Sequence, residues 1–188
     1  MPDRPSDLEA SDRSLVLYAL VRRASIEFVI AETQDDIRTR QGETARAETD
    51  RWLARESLMD VLTETERTLF AARSGAWPPE AIADGMWRKE SLGVLLWALQ
   101  HVAALPPIDE EFEVAVLNQR IESYGSESSF RANGRLRSED EIETAWRETD
   151  TWFAATEGRD GEDATIASIS AERLHALTWL RDRDAGPA

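Results

Sequence analysis

Between Pro78-Pro79 and Pro106-Pro107 runs a segment of about 25 residues that contains MWRKESLGVLLWALQHVAAL, Met86 to Leu105. Proline cannot continue a helix and restricts the residue before it, so the two Pro pairs act as stops. Between them the pattern is helical. Trp87, Glu90 and Val94 share one face at spacings of three and four, and Leu92, Leu95, Leu96 and Leu99 cover the adjoining faces. Only Arg88, Lys89, Ser91 and Gln100 are left for water. A helix that is apolar nearly all round is buried on several sides, so this one is expected at the centre of the fold, over about residues 80–104. Its start falls near Pro79 or near Gly85. It is too short for a membrane: Arg88, Lys89 and Glu90 leave an apolar run of about 15 residues, against the roughly 20 that a bilayer requires.

The flanking sequence supplies helices to sheathe it. Ser11 or Asp12 can cap a first helix whose stripe holds Leu17, Leu20, Val21, Ala24 and Phe28. A polar connection over 33–44, with Gly42, leads to a second helix from about Glu43 to Leu58. Thr63 and Glu66 have capping-box spacing and open a short helix. Asp109 can cap a helix to Tyr124 that buries Phe112, Val116, Leu117 and Ile121. Residues 126–137 read as a loop. Ser138 and Glu141 form a second capping box for a helix to about Glu157, with Ile142, Ala145, Trp146, Trp152 and Phe153 inward. After a loop over 158–168, Ser170 caps a last helix carrying Leu174, Leu177 and Leu180. No strand alternation and no repeat is present. The expectation is therefore an all-α fold: a disordered segment over 1–11, then a single globular bundle of about six or seven helices over 12–184.

Charge narrows the function classes. The 188 residues carry 37 acids against 22 bases, a net charge of −15, which opposes attraction to nucleic acid or an anionic membrane and suits a basic protein partner. There is no cysteine, hence no disulfide, thiolate metal site or thiol nucleophile. The N-terminal MPDRPSDLEASDRS has no apolar core and is no signal peptide, so a cytoplasmic location is expected. Only His101 and His175 could serve as imidazole ligands. Glu172-x-x-His175 has the spacing of a di-iron helix but no second copy, so no metal and no cofactor is expected. His101 falls near the end of the central helix, where an imidazolium would suit the helix dipole.

Three segments, taken in order, resemble a family of bacterial proteins, domain of unknown function 4272: RSLVLYALVRRASIEF, then MWRKESLGVLLWAL followed by Leu105-Pro106, and finally LRSEDEI through ERLHALTWL. The resemblance spans nearly the whole chain and implies an all-helical fold, with no activity attached. It also implies an Arg and a His around a Trp of the penultimate helix, as R-x-H-W-A. This chain departs there, reading Thr149-Asp150-Thr151-Trp152-Phe153, and lacks both groups.

No nucleophile elbow, phosphate-binding loop or zinc-protease motif is present, and no catalytic residue is assigned. The most suggestive cluster is Trp87, Arg88 and Glu90, an aromatic platform, a guanidinium and a carboxylate within one turn. Set against a ligand site is the plainer reading in which Arg88 or Glu90 pairs with Glu172 or Arg173 on another helix. Arg137, in an Arg-containing loop, could meet an anion or pair with neighbouring acids. Of seven tryptophans, Trp77 sits beside two prolines in a turn and is expected to be exposed. Two functions follow: a non-enzymatic protein-binding module of immunity or accessory type with an acidic surface, homodimer formation being open, or an enzyme or small-ligand binder with a pocket lined by Trp87, Arg88, Glu90, Arg137 and Glu172.

Overall fold

Eight α-helices account for the architecture in the computed structural model, which describes residues 3–188 apart from the side chain of Glu162. They are α1 (Asp7–Thr33), α2 (Asp36–Arg55), α3 (Glu64–Ala71), α4 (Pro79–Ala98), α5 (Val114–Glu122), α6 (Glu127–Asn133), α7 (Glu139–Thr156) and α8 (Glu162–Arg181), followed by a 3-10 turn at Arg183–Ala185. No strand occurs among the described residues. The chain is all-α, and no helix among the described residues is long and apolar enough to cross a membrane.

Several boundaries differ from the sequence reading, each for a local reason. Helix α1 begins at Asp7, ahead of the cap expected at Ser11 or Asp12. Ser6 and Glu9 satisfy each other's backbone: the Ser6 N–H donates to Glu9 Oε2 at 2.8 Å and the Glu9 N–H to Ser6 Oγ at 3.2 Å. This is the reciprocal capping geometry. Ser11 is buried inside the helix with its hydroxyl bonded to the Asp7 carbonyl, so the disorder expected over 1–11 gives way to helix from Asp7 onward. Residues 1 and 2 lie outside the described residues. Helix α2 begins at Asp36, capped by Asp35 accepting from the Ile37 N–H, and continues through Gly42. A Cβ at Gly42 would stand 2.8 Å from Ile30 Cδ1, so the glycine serves close approach inside a helix instead of ending one. Helix α6 lies where a loop was expected, capped by Ser126 and anchored by fully buried Phe130. Helix α8 begins eight residues before the expected cap at Ser170, whose hydroxyl donates back to the Ile166 carbonyl.

The central helix ends at Ala98, short of 104. Gln100 then takes a left-handed conformation, φ 64°, and the N–H groups of His101 and Val102 both return to the Leu96 carbonyl. The next carbonyls, left without partners inside the helix, are met by a distant segment: Arg137 N–H donates to Ala98 O at 2.8 Å and Arg135 N–H to Leu99 O at 3.2 Å.

The chain divides into two compact units. One comprises the chain up to Ser14 together with Lys89–Ala188, and the other is Leu15–Arg88. In the first, Leu92, Val94, Leu95, Leu96, Ala98 and Leu99 are without solvent exposure, in a core that also takes in Leu117, Phe130, Ile142, Ile169, Leu177 and Leu180. Helices α7 and α8 pack along each other here. In the second, Leu15, Leu17, Val21, Leu53, Leu58, Phe70 and Trp77 make the core.

Three residues assigned inward face out. Phe28, Val116 and Trp152 are 49%, 51% and 47% exposed. On α7 the buried positions are Ile142, Ala145, Thr149 and Thr156, which keep the helical spacing without Trp152. Thr149 and Thr156 are tolerated inside because their hydroxyls bond the Ala145 and Trp152 carbonyls, leaving only methyl groups to pack.

Candidate functional site

The most conspicuous polar feature inside the apolar part of α4 is Glu90. It is wholly buried, and Arg173 of α8, also buried, reaches it with Nε 2.9 Å from Oε2. The other carboxylate oxygen accepts the Phe112 N–H at 2.8 Å. Arg173 spends its remaining donors on main chain: Nη1 to the carbonyls of Pro106 and Pro107 at 3.0 and 3.3 Å, and Nη2 to that of Glu110 at 2.6 Å. Its guanidinium lies over the Phe112 ring, 5.1 Å from the centroid. Prolines at 106 and 107 prevent this stretch from forming a helix, so its carbonyls need outside donors, and the planar fork of one arginine supplies them. Burial pushes the Glu90 carboxyl above the usual range, with the Arg173 charge and the Phe112 N–H pulling it back down. Burial likewise lowers Arg173, opposed by Glu90.

Gly93 makes room for this arrangement. A Cβ there would lie 2.3 Å from the Phe112 ring carbons. One turn beside the pair, Ser91 Oγ donates toward the Glu172 carbonyl and Oε2, each at 3.0 Å. Glu90 and Arg173 thus pair as the plainer reading had it, and they form a closed clamp on the 106–112 loop. Neither side chain faces solvent.

Arg137 serves the end of α4. Its Nε donates to the Trp97 carbonyl at 2.9 Å, Nη2 to that of Ala103 at 2.9 Å and Nη1 to Glu141, with the guanidinium 4.9 Å from the Trp97 ring centroid. It neutralises carbonyl ends of a helix, where positive charge is favourable. Trp77, expected at the surface, is 5% exposed. Its indole N–H donates to the Leu69 carbonyl at 2.8 Å, and the Gly75 and Trp77 N–H groups point to Glu27 Oε2 at 2.8 and 3.5 Å. Glu27 is itself buried and paired with Arg23 at 2.7 Å, so an ion pair on α1 draws the proline turn inward. Trp87 and Arg88 are half-buried on α4 and belong to the Leu15–Arg88 unit. Of the seven candidates, then, Glu90, Arg173 and Glu172 come together, Arg137 stands at the end of α4, and Trp77 lies in the other unit's core.

His101 is not the imidazolium that a place near the end of the central helix would favour. It is 5% exposed, with Nδ1 2.6 Å from the Tyr124 hydroxyl and its ring 4.4 Å from that of Phe130. Burial, helped by the charge of Arg120, pushes its pKa down to about 4, so it is neutral at pH 7. Among the described residues no group of three or more His, Asp or Glu is placed to hold a metal ion, and His175 stands half-buried on α8.

Two cavities lie away from these residues. A cleft of about 430 Å³ is lined by residues including Arg4, Glu139, Asp140, Glu143, Arg181 and Asp182. In the Leu15–Arg88 unit, a second of about 390 Å³ opens between α1 and α2. None of the seven sequence candidates lines either. The surface residue that sequence reasoning missed is Trp152. Its signal was available in the Thr149 and Thr156 spacing, but an indole ranks above a threonine on any scale of apolarity.

Fold and interior together define an all-helical protein whose most buried charges hold its own loops. The chain belongs to the family described as Domain of unknown function (DUF4272), whose model matches residues 5–186. No curated protein and no solved structure matches it.

Proposed function

We propose that this is a non-enzymatic binding module whose acidic helical surface engages a basic protein partner, as an immunity or accessory protein does. The observation that carries the reading is the outer face of α7. Asp140, Thr144, Glu148 and Trp152 recur every fourth residue and are all exposed, forming a stripe that is acidic at one end and ends in a half-exposed indole. Exposed tryptophan is the side chain most enriched among residues that dominate binding energy. At the acidic end, Glu139 pairs with Arg4 and Glu143 with Arg181, while Asp140 and Asp182 have no basic partner among the described residues. Complementary charge of this kind raises association rates and rejects acidic proteins.

The alternative, an enzyme or small-ligand site around Trp87, Arg88, Glu90, Arg137 and Glu172, loses support because Glu90 is shut against Arg173. The test is affinity capture with the full chain at low and at high salt, repeated with Trp152→Ala and Asp140→Lys. A stoichiometric basic protein that is retained at low salt and lost with either variant supports the reading. No stoichiometric partner at low salt, or one indifferent to both variants, overturns it.

A further inference from the structure

The cavity of about 390 Å³ between α1 and α2 is walled by Ile26, Val29 and Ile30 on one side and by Gly42 and Ala45 on the other. Ser25 also lines it, but its hydroxyl is turned to the Val21 carbonyl at 2.9 Å and to the Met86 sulfur at 3.4 Å, so the interior is aliphatic. Gly42 forms the floor, where the two helices come close enough that a Cβ would run into Ile30 and Ile26. At the mouth stand Arg38 and Gln41. Arg38 is exposed and has no carboxylate partner among the described residues, and its Nη1 donates to Gln41 Oε1 at 3.5 Å. Of the two acids just before it, Asp35 is engaged as the cap of α2, and Asp36, two residues away on the same helix, does not face it. Arg38 is the one charged side chain of this lining, and a guanidinium at the rim of an aliphatic hollow has a defined chemical complement.

We infer that this cavity binds a single-chain amphiphile with a carboxylate head, a medium-length fatty acid in chemical class. The aliphatic walls take the alkyl chain, Arg38 takes the carboxylate in its two-pronged geometry, and the Gln41 amide nitrogen supplies a further donor. The volume is near the lower end of small-molecule sites, about 300–1,000 Å³, which suits one short chain over a polycyclic body. The half-exposed Val29 forms one wall of the hollow, so apolar surface left open in the free protein is covered on binding. This site is independent of the partner-binding face of α7 and stands or falls without it.

The experiment is calorimetric titration of the full chain with decanoate, and with decanol and acetate as chain-only and head-only arms. Saturable one-to-one binding of decanoate is expected, with decanol about tenfold weaker and acetate without effect. Arg38→Gln, at an exposed position, is expected to weaken decanoate about tenfold and leave decanol unchanged. Ala45→Leu fills the hollow and is expected to abolish both. Flotation with phosphatidylglycerol vesicles is expected to leave the protein in solution. Equal affinity for decanol and decanoate, indifference to Arg38→Gln, absence of saturation, or vesicle binding without decanoate binding would each overturn the assignment.

Discussion

Arg173 and Glu90, 83 residues apart in the chain, meet at 2.9 Å with 2% and 0% of their side chains exposed. A pair so placed is a poor source of net stability, because taking two ions out of water costs several kcal/mol each. Its contribution is to geometry: with the Phe112 N–H and three loop carbonyls it fixes the path of the chain after α4.

Removing one partner should therefore be severe. Arg173→Met leaves an unpaired buried carboxylate and three carbonyls without donors, and is expected to lower unfolding free energy by about 3–5 kcal/mol in urea titrations. The double variant Glu90→Leu with Arg173→Met should be less destabilised than the sum of the single variants by at least about 1 kcal/mol. Strict additivity would show that the two do not act as a unit.

Gly93→Ala ordinarily favours a helix by about 1 kcal/mol. Here the methyl group meets the Phe112 ring, so a net loss of about 1–3 kcal/mol is expected, recovered in part by adding Phe112→Leu. Thermal melts of the single and the double variant decide it.

His101 gives a pH dependence of definite sign. Its pKa falls from 6.5 to about 4 on burial, so between these values the unfolded chain holds a proton that the folded chain does not. Its contribution is fully present above pH 6.5 and is lost as the pH falls toward 4, on the order of 3 kcal/mol in all. His101→Phe should flatten that slope in urea titrations run from pH 7 to 4. Glu43 adds a second slope of the same sign. Hydrogen bonds from Arg46 and the Ser74 N–H hold it down to about 2, so its share disappears below the ordinary carboxylate range.

Two tryptophans should separate structure from binding. Trp77→Ala removes a buried indole and is expected to cost about 3–5 kcal/mol. Trp152→Ala should change stability by no more than about 0.5 kcal/mol while weakening partner capture at least tenfold. Equal destabilisation by both would contradict the exposure of Trp152.

Much of the fold was legible where local signals were strong. The central helix could be read from its all-round apolarity between proline pairs, and the boxes at Thr63/Glu66 and Ser138/Glu141 both form with reciprocal bonds. The same signature at Ser6/Glu9 passed unread among the prolines and acids of the N-terminus. Trp77 was misplaced because a proline turn looks exposed until a distant acceptor, Glu27, is known to claim its N–H groups. The partner of Glu90 was nameable only as one of two choices. Sequence gives spacing along a helix, whereas a contact across 83 residues depends on how helices pack. The aliphatic hollow left no trace in the pattern, since Gly42 in its wall falls in a polar stretch that reads as a connection.

The larger unit joins the described residues up to Ser14 to those beyond Arg88. Arg4 Nε donates to the Leu180 carbonyl at 3.2 Å and the Arg183 N–H to that of Asp3 at 2.9 Å. In synthesis from the N-terminal side, all of Leu15–Arg88 is therefore made before the larger unit is complete. The residues up to Ser14 find their neighbours only once the segment beyond Arg88 has been made, so a chain cut short within that segment leaves both parts of the larger unit without a common core.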